Sequence, residues 1–238
     1  MSLVIVVMPT YNECENLPLI VPQVLQQDPR IEILIVDDNS PDGTGKLAKD
    51  LADADPRVHV LNRPEKQGLG PAYRAGMQQA LELGADFVVQ MDADFSHPPE
   101  TLVTMLEEIE QHDVVMGSRY LNGITVVNWP IERILLSYFA NWYARKVTGL
   151  PVTDATSGFR CLRRAALEGL GLERIRANGY AFQIEISYRL MHRGARMKEI
   201  PFFFLDRTRG TSKLTVRIGL EALWMVWWLR IARALGRL

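Results

Sequence analysis

The sequence predicts an α/β fold in which a mostly parallel sheet is covered by helices on both faces. Short apolar runs alternate with amphipathic segments through the first half of the chain, and polar, turn-forming residues follow the runs. Alternation of this kind builds right-handed strand–helix–strand units. The length of 238 residues and the hydrophobic fraction of 47% allow one large core.

The elements are predicted from periodicity, in chain order. Five apolar runs are predicted strands, at residues 3–8, 31–36, 58–61, 86–91 and 114–116. Four amphipathic segments are predicted helices, at about residues 15–27, 44–54, 71–83 and 99–111. The second half is predicted as a helix over roughly 130–148, a loop and strand over 154–160, a helix near 180–193, a strand near 197–205, a polar loop over 206–213 and a helix over about 214–236. We therefore predict one domain over residues 1–213 and an amphipathic C-terminal helix over 214–238.

Composition narrows the functional classes. A formal net charge of −1 argues against a nucleic-acid partner. Two cysteines, Cys14 and Cys161, are too few for a disulfide framework and are expected to be reduced thiols. The first apolar run lacks the features of a secretory signal, and no run reaches the ~18 uncharged apolar residues that span a bilayer. The expectation is a cytoplasmic protein that at most lies on the surface of a membrane.

Polar residues follow four of the predicted strands. We call the segments that follow these strands the strand exits. They read Pro-Thr-Tyr-Asn-Glu from Pro9, Asp-Asp-Asn-Ser-Pro-Asp-Gly-Thr from Asp37, Asp-Ala-Asp from Asp92 and Gly-Ser-Arg-Tyr from Gly117. In parallel α/β sheets, ligands bind beyond the carboxyl ends of the strands. We therefore expect the four exits to converge on one site.

Asp92 and Asp94 form a candidate metal site. Two carboxylates that flank a small residue can both reach one hard divalent cation, and Mg²⁺ or Mn²⁺ prefers such oxygen ligands and often shares them with substrate phosphates. The alternative is a turn with two solvated aspartates, because Asp-x-Asp alone is a weak pattern.

Several motifs occur together in a fixed order. They are Pro-Thr-Tyr-Asn-Glu, Val-Asp-Asp-Asn-Ser-Pro-Asp-Gly-Thr, Gly-Leu-Gly, Met-Asp-Ala-Asp-Phe-Ser-His-Pro-Pro-Glu, Gly-Ser-Arg-Tyr, Thr-Ser-Gly-Phe-Arg and Arg-x-x-Gly-x-Ser-Lys. The ordered set, from about residue 3 to residue 214, resembles the inverting GT-A glycosyltransferases of family 2. Within that family it is most similar to the dolichol-phosphate (polyprenol-phosphate) mannose synthase group. The resemblance implies a Rossmann-like GT-A fold.

The resemblance also implies roles for individual residues. The nucleotide sugar would be bound by Pro9, Tyr11, Glu13, Val36, Asp38, Asp92, Ala93, Asp94, Arg119, Arg207 and Lys213. The acceptor phosphate would be bound by Arg119, Arg133 and Ser137, and catalysis would depend on Asp94, Arg119 and Arg133. The metal would be held by Asp92, Asp94 and Ser96. Some relatives have glutamine at the position of Ser96; the shorter hydroxyl could act through a water or could instead belong to the N-cap region of the next helix.

The implied activity is transfer of mannose from GDP-mannose to dolichyl or polyprenyl phosphate, with inversion. A phosphate acceptor is already ionised at neutral pH, so the reaction is expected to need no general base. If a general base is nevertheless required, Asp94 is the only candidate. One alternative is a glucosyl enzyme that uses UDP-glucose. Two others are a non-catalytic nucleotide-sugar-binding subunit and an Asp-x-Asp phosphatase, which would carry its motif on the first strand.

The C-terminal segment fits a lipid acceptor. Residues 220–229 are rich in tryptophan and are surrounded by Arg217, Arg230, Arg233 and Arg237. Tryptophans flanked by arginines are typical of a helix that lies at a membrane interface. A core-packing or dimerising helix is the alternative, and a small membrane partner protein is a further expectation from the resemblance.

Overall fold

Seven strands form one sheet, and all but one of them are parallel. The computed structural model describes residues 2–175, 177–206 and 216–236, with side chains of the last segment described from residue 223. The sheet strands are β1 (Val4–Thr10), β2 (Ile31–Asp37), β3 (Val58–Asn62), β4 (Phe87–Gln90), β5 (Val114–Ser118), β7 (Arg160–Arg163) and β8 (Met197–Pro201). Their order is β3-β2-β1-β4-β7-β5-β8, and β7 runs antiparallel to both of its neighbours. Two short parallel strands, β6 (Val126–Val127) and β9 (Phe204–Leu205), pair separately.

Helices cover both faces of the sheet, which confirms the predicted fold class. The helices are α1 (Leu17–Leu25), α2 (Thr44–Ala54), α3 (Leu69–Glu82), α4 (Thr101–Glu108), α5 (Ile131–Thr148), α6 (Arg164–Glu168), α7 (Gly179–His192) and α8 (Val216–Ala234), and a 3₁₀ turn spans Leu172–Arg174. Buried residues of α1, α2 and α4 pack on one face of the sheet, and those of α3, α5, α6, α7 and α8 pack on the other. The central strands are buried on both faces, which explains why they read as continuous apolar runs.

The predicted strand over 197–205 is wrong as one element. The chain leaves the main sheet at Pro201, which has no N–H to extend the ladder. It then forms β9, which pairs with β6 and not with β5. This change of partner brings Phe202 and Phe204 to the carboxyl edge of the sheet.

The antiparallel strand β7 has a consequence for the site. Because β7 begins where β4 and β5 end, the loop that precedes it lies at the carboxyl edge of its parallel neighbours. Periodicity indicated only a loop and strand here, whereas the family resemblance implied that Asp154 and the Thr-Ser-Gly-Phe-Arg segment support the acceptor side. The Thr156–Gly158 segment is thereby placed among the four strand exits.

The last helix packs on the domain with one side and is exposed on the other. Met225, Val226 and Leu229 are buried against α5 and α7, whereas Trp224 and Trp227 are 64% and 52% exposed. The core-packing alternative is thus correct for one side of α8 only. The predicted domain boundary at 213/214 lies outside the described residues. None of the described helices is both long and apolar enough to cross a membrane.

Candidate active site

A cavity of about 430 Å³ lies at the carboxyl edge of the sheet. All four polar strand exits contribute to it, as the sequence predicted. The predicted site residues that line it are Pro9, Tyr11, Glu13, Asp38, Asp92, Ala93, Asp94, Arg119 and Arg133. Residues that the sequence did not single out line it as well: Thr10, Lys66, His97, Trp129, Asn178, Tyr180, Gln183, Phe202, Phe204 and Asp206.

The loops after β1 and β2 hold each other in place. The Asn12 N–H donates to Ser40 Oγ at 3.1 Å, and the Glu13 N–H donates to Thr44 Oγ1 at 2.9 Å. Ser40 Oγ in turn donates to Asp37 Oδ1 at 2.6 Å. Side chains that follow β2 thus satisfy backbone donors of the loop after β1, and the two segments together form one wall of the cavity.

This wall carries an aromatic ring and a paired carboxylate. Lys66 Nζ lies 3.4 Å from the centre of the Tyr11 ring, a cation–π contact. Asp38 is 5% exposed and is bridged to Arg63. Burial raises the pKa of Asp38, and the Arg63 guanidinium opposes that rise. Asp38, a predicted nucleotide-sugar contact, therefore lines the cavity with the Arg63 guanidinium already paired to it.

Val36 is the predicted nucleotide contact that the structure does not bring to the cavity wall. Its side chain is fully buried in the core, among the residues between the sheet and α3. Alternation along β2 places this side chain on the face of the sheet that α3 covers.

The Asp-x-Asp turn is held by four hydrogen bonds. Tyr73 Oη donates to Asp92 Oδ1 at 2.8 Å, and the Asp92 N–H donates to His97 Nδ1 at 3.0 Å. The N–H and Oγ of Ser96 donate to Asp94 Oδ1 at 3.1 and 2.6 Å. Burial, followed by the Asp92 charge, holds the pKa of Tyr73 well above its usual value, so the phenol stays a donor.

Phe95, the residue after the second aspartate, has a φ of +63°. This left-handed conformation is rare for a bulky residue and tends to persist where the surrounding structure imposes it. Here the Ser96 hydrogen bonds to Asp94 close the turn around Phe95.

The turn fits a divalent cation shared with a substrate. Asp92 and Asp94 both line the cavity. Within the described part of the chain, no group of three or more His, Cys, Asp or Glu side chains could hold a metal. The chain offers two hard oxygen ligands here, the number that Mg²⁺ and Mn²⁺ sites often take when substrate phosphates complete the shell.

Ser96 lies behind Asp94 and not at the cavity surface. It is 1% exposed, and its hydroxyl donates to the carboxylate. The N-cap alternative is wrong, because α4 begins at Thr101 and Glu100 is the N-cap residue. Direct coordination by Ser96 stays a prediction.

Arg119 is bound to a buried aspartate. Its Nε and Nη2 donate to the two oxygens of Asp154 at 2.6 and 2.7 Å, and Nη2 also donates to Thr156 Oγ1 at 2.8 Å. Burial alone would lower the pKa of Arg119, but Asp154 outweighs it and the pKa is raised. The pair fixes the guanidinium at the cavity wall, and Nη1 is the nitrogen that Asp154 and Thr156 do not use.

Arg133 lies on the first turn of α5, and it lines the same cavity as Arg119. Its guanidinium is 3.9 Å from the centre of the Trp129 ring, and Nη1 donates to both oxygens of Asp206 at 3.0 Å. Arg133 Nε and Trp129 Nε1 are buried and have no hydrogen-bond partner among the described residues. Two N–H donors are thus available beside the cavity.

The remaining predicted contacts are Ser137 for the acceptor phosphate and Arg207 and Lys213 for the nucleotide sugar. Ser137 does not line the cavity, and its Oγ accepts a hydrogen bond from Tyr120 Oη at 2.7 Å. Ser137 is on the same helix as Arg133, but the contact that its hydroxyl makes is with Tyr120. Arg207 and Lys213 lie outside the described residues.

Two helix N-termini point at the cavity. The residues Gly68 and Leu69 at the start of α3 and Asn178 and Gly179 at the start of α7 line it. Asn178 Oδ1 joins the two ends, since it accepts from the N–H of Gly70 and of Gly179, both at 2.9 Å. Gly68 has a φ of +103°, and a Cβ there would lie 2.3 Å from Asn178 Nδ2. Converging N-termini of this kind favour anionic ligands.

Comparison with known proteins agrees with this geometry. The profile of glycosyl transferase family 2 matches residues 5–171. The chain belongs to this family. It is 47% identical to the polyprenol monophosphomannose synthase of Mycolicibacterium smegmatis over 213 residues, which cover 89% of this chain and 80% of the relative. It is 44% identical to the undecaprenyl-phosphate mannosyltransferase of Micrococcus luteus over 219 residues, which cover 92% of this chain and 90% of the relative.

Solved structures share the GT-A fold of family 2. Glucosyl-3-phosphoglycerate synthase from Mycobacterium tuberculosis, in complex with Mn²⁺, UDP and glucosyl-3-phosphoglycerate, superposes with a TM-score of 0.67 at 18% identity and covers 99% of this chain and 80% of that one. A mannosyltransferase from Pyrobaculum calidifontis, in complex with GDP-Man and Mn²⁺, superposes with a TM-score of 0.57 at 18% identity. The match covers 98% of this chain and 71% of that one. At this identity the likeness shows the fold alone.

Two of the cavity residues that the sequence analysis missed carried a local signal that could have identified them. His97 is three residues after Asp94, and Asn178 precedes the α7 helix, where an N-cap is expected. Gln183 and Trp129 carried no such signal. Both lie on segments whose approach to the cavity depends on the packing of the second half of the chain.

Proposed function

We propose that this family 2 enzyme transfers mannose from GDP-mannose to a polyprenyl phosphate, with inversion at the anomeric carbon. The names of the two bacterial relatives support this substrate pair. The observation that carries the proposal is the arrangement of α5. This helix carries Arg133, which lines the cavity, and also presents a row of exposed apolar side chains. A phosphate attached to a long apolar chain matches that combination.

The donor side of the site is the Asp-x-Asp turn with the two helix N-termini. Asp92 and Asp94 would hold Mg²⁺ or Mn²⁺, which would neutralise charge on the leaving diphosphate. Tyr11 and Lys66 form an aromatic, cationic wall for the nucleotide, and Asp38 is a hydrogen-bond acceptor for the base. The resemblance to family 2 also implies that Arg207 and Lys213 close over the donor diphosphate, and this closure is part of the proposal.

The acceptor side needs charge compensation and no proton abstraction. The second pKa of a phosphate monoester is about 6, so its oxygen is already nucleophilic at neutral pH. Arg119 Nη1 and the N–H groups of Arg133 and Trp129 can receive phosphate oxygens, which accept hydrogen bonds only. They would hold the acceptor against the anionic donor, so that one in-line displacement inverts the anomeric centre. Catalysis would then rest on positioning and electrostatic stabilisation.

The apolar surface beside the acceptor side supports attachment to the cytoplasmic face of a membrane. We call it the α5–α8 face; its side chains are 42–64% exposed and are Ile131, Leu135, Leu136, Tyr138, Phe139, Trp142, Leu223, Trp224, Trp227, Ile231 and Leu235. The exposed cations Arg145, Lys146, Arg230 and Arg233 are on the same two helices. An apolar surface with tryptophans and flanking cations is the composition of an interfacial segment that prefers anionic lipids.

A transfer assay tests the reaction. Purified protein is given Mg²⁺ or Mn²⁺, a polyprenyl phosphate, and either radiolabelled GDP-mannose or UDP-glucose. Label is expected in the lipid product from GDP-mannose only. Label from UDP-glucose alone would overturn the donor and keep the acceptor. Nucleotide binding without transfer from either donor, even when a membrane fraction is added, would favour a non-catalytic binding subunit; transfer only with that fraction would indicate a membrane partner.

Vesicle binding tests the membrane surface. Leu135→Glu and Trp224→Glu each place a charge on the α5–α8 face and are expected to lower partition onto phosphatidylglycerol-containing vesicles by about tenfold or more, measured by flotation. Val103→Glu is the matched control, since Val103 is 40% exposed on α4, across the sheet. Equal partition of all three variants and the wild type would exclude this face as the attachment surface.

A further inference from the structure

The Gln183 carboxamide is buried at the cavity without a partner. Gln183 lies on the second turn of α7, is 2% exposed and lines the cavity. Neither its Nε2 nor its Oε1 makes a hydrogen bond within the described part of the chain. Buried polar side chains are nearly always hydrogen-bonded in folded proteins, so an unpaired amide at a cavity wall points to a ligand group.

The amide lies between the donor and acceptor sides of the site. A Cβ on Gly158, another cavity residue, would lie 3.4 Å from Gln183 Nε2 and 3.9 Å from His97 Cε1. His97 accepts the Asp92 N–H on the donor side. Two residues before Gly158, Thr156 accepts from Arg119 on the acceptor side. In an in-line displacement, the transferred sugar occupies the space between the leaving and attacking phosphates.

The chemistry of the amide selects a hydroxyl group. A carboxamide presents two N–H donors and a carbonyl acceptor, and a sugar hydroxyl both donates and accepts. A phosphate oxygen would leave the carbonyl unpaired, and the N–H donors of Arg133 and Trp129 already suit phosphate better. On the basis of the proposed function, we propose that Gln183 binds a hydroxyl of the transferred hexose and thereby contributes to donor specificity.

Deoxy donors test this assignment. The parent GDP-mannose and its 2-, 3-, 4- and 6-deoxy analogues are compared in wild type and Gln183→Met by kcat/KM. In the wild type, one analogue is expected to lose about 10²-fold, because the amide is left unpaired in the complex. In Gln183→Met, the parent donor is expected to lose a similar factor, and discrimination against that same analogue should disappear. GDP affinity, measured by calorimetry, should stay within about twofold because the proposed contact is to the hexose, which GDP lacks.

Gln90→Met is the matched control. The Gln90 amide is also buried and unpartnered among the described residues, but it does not line the cavity. Both substitutions replace an unpaired amide by an apolar group of similar size, so thermal unfolding should show that both variants fold. Gln90→Met is expected to keep the discrimination pattern of the wild type.

The outcomes separate this inference from the proposed function. If the wild type is active and Gln183→Met keeps every wild-type ratio between donors, the assignment of Gln183 is overturned while the transfer reaction stands. If the wild type transfers from UDP-glucose, the same comparison with deoxy-UDP-glucose donors decides it. If the wild type transfers no sugar, the inference falls together with the proposed function.

Discussion

Asp94→Asn is expected to lower kcat for transfer by about 10³-fold. The substitution keeps an oxygen that can accept the Ser96 hydrogen bonds, so the turn should persist. It removes the charge that would bind a divalent cation, and hence a contribution of several kcal/mol to stabilisation of the leaving diphosphate. The loss of kcat is measured by steady-state kinetics with GDP-mannose at saturating Mn²⁺. The affinity of the variant for Mn²⁺ in the presence of GDP should fall in parallel.

Ser96→Ala tests the position of Ser96 in the same series. Because the Ser96 hydroxyl supports Asp94, its loss is expected to cost about tenfold to a hundredfold in metal affinity or rate, the usual effect of groups that orient a ligand. Full activity of Asp94→Asn would contradict the metal site. A loss in Ser96→Ala as large as in Asp94→Asn would instead indicate that Ser96 coordinates the metal directly.

The sequence predicted the site residues that directly follow a recognisable strand. It did not predict those that reach the cavity only through the packing of distant segments. Asp92 and Asp94 could be assigned because an apolar run ends directly before them, and the carboxyl edge of a parallel sheet is where ligands bind. The family resemblance alone linked the Thr156–Gly158 segment to the acceptor side, because nothing local reveals that β7 inserts antiparallel between β4 and β5. The same insertion brings Asp154 to Arg119.

Two predicted site residues, Ser137 and Val36, do not line the cavity, and their roles toward the ligands stay predictions. Ser137 is four positions after Arg133 and shares its helix face, yet its hydroxyl is used by Tyr120 and not at the cavity wall. Val36 belongs to the second strand-exit motif, but its side chain is in the core. Spacing predicts which face of an element a residue occupies, and the tertiary neighbours of that face decide what the side chain contacts.

Asp154→Ala is expected to lower the free energy of unfolding by about 3–5 kcal/mol, a large fraction of a typical total. Asp154 is fully buried, and its removal leaves the Arg119 guanidinium, 4% exposed, without its counter-charge. Burial raises the pKa of Asp154, but Arg119 outweighs it and the pKa lies below the usual 3.8. The depressed pKa stabilises the fold above pH 3.8, and this contribution is lost as pH falls through the folded pKa. Urea unfolding at neutral and acid pH measures both effects.

The double variant Arg119→Met, Asp154→Leu separates structure from chemistry. Replacing both buried charges by apolar groups is often neutral or stabilising, so most of the stability lost in Asp154→Ala is expected to return. Transfer activity is expected to stay lost, because the guanidinium that would bind the acceptor phosphate is gone. A double variant as unstable as Asp154→Ala would mean that the hydrogen bonds to Thr156 and the Arg119 backbone matter more than the charges. A stable and active double variant would remove Arg119 from the acceptor site and leave Arg133 as the described cation that positions the phosphate.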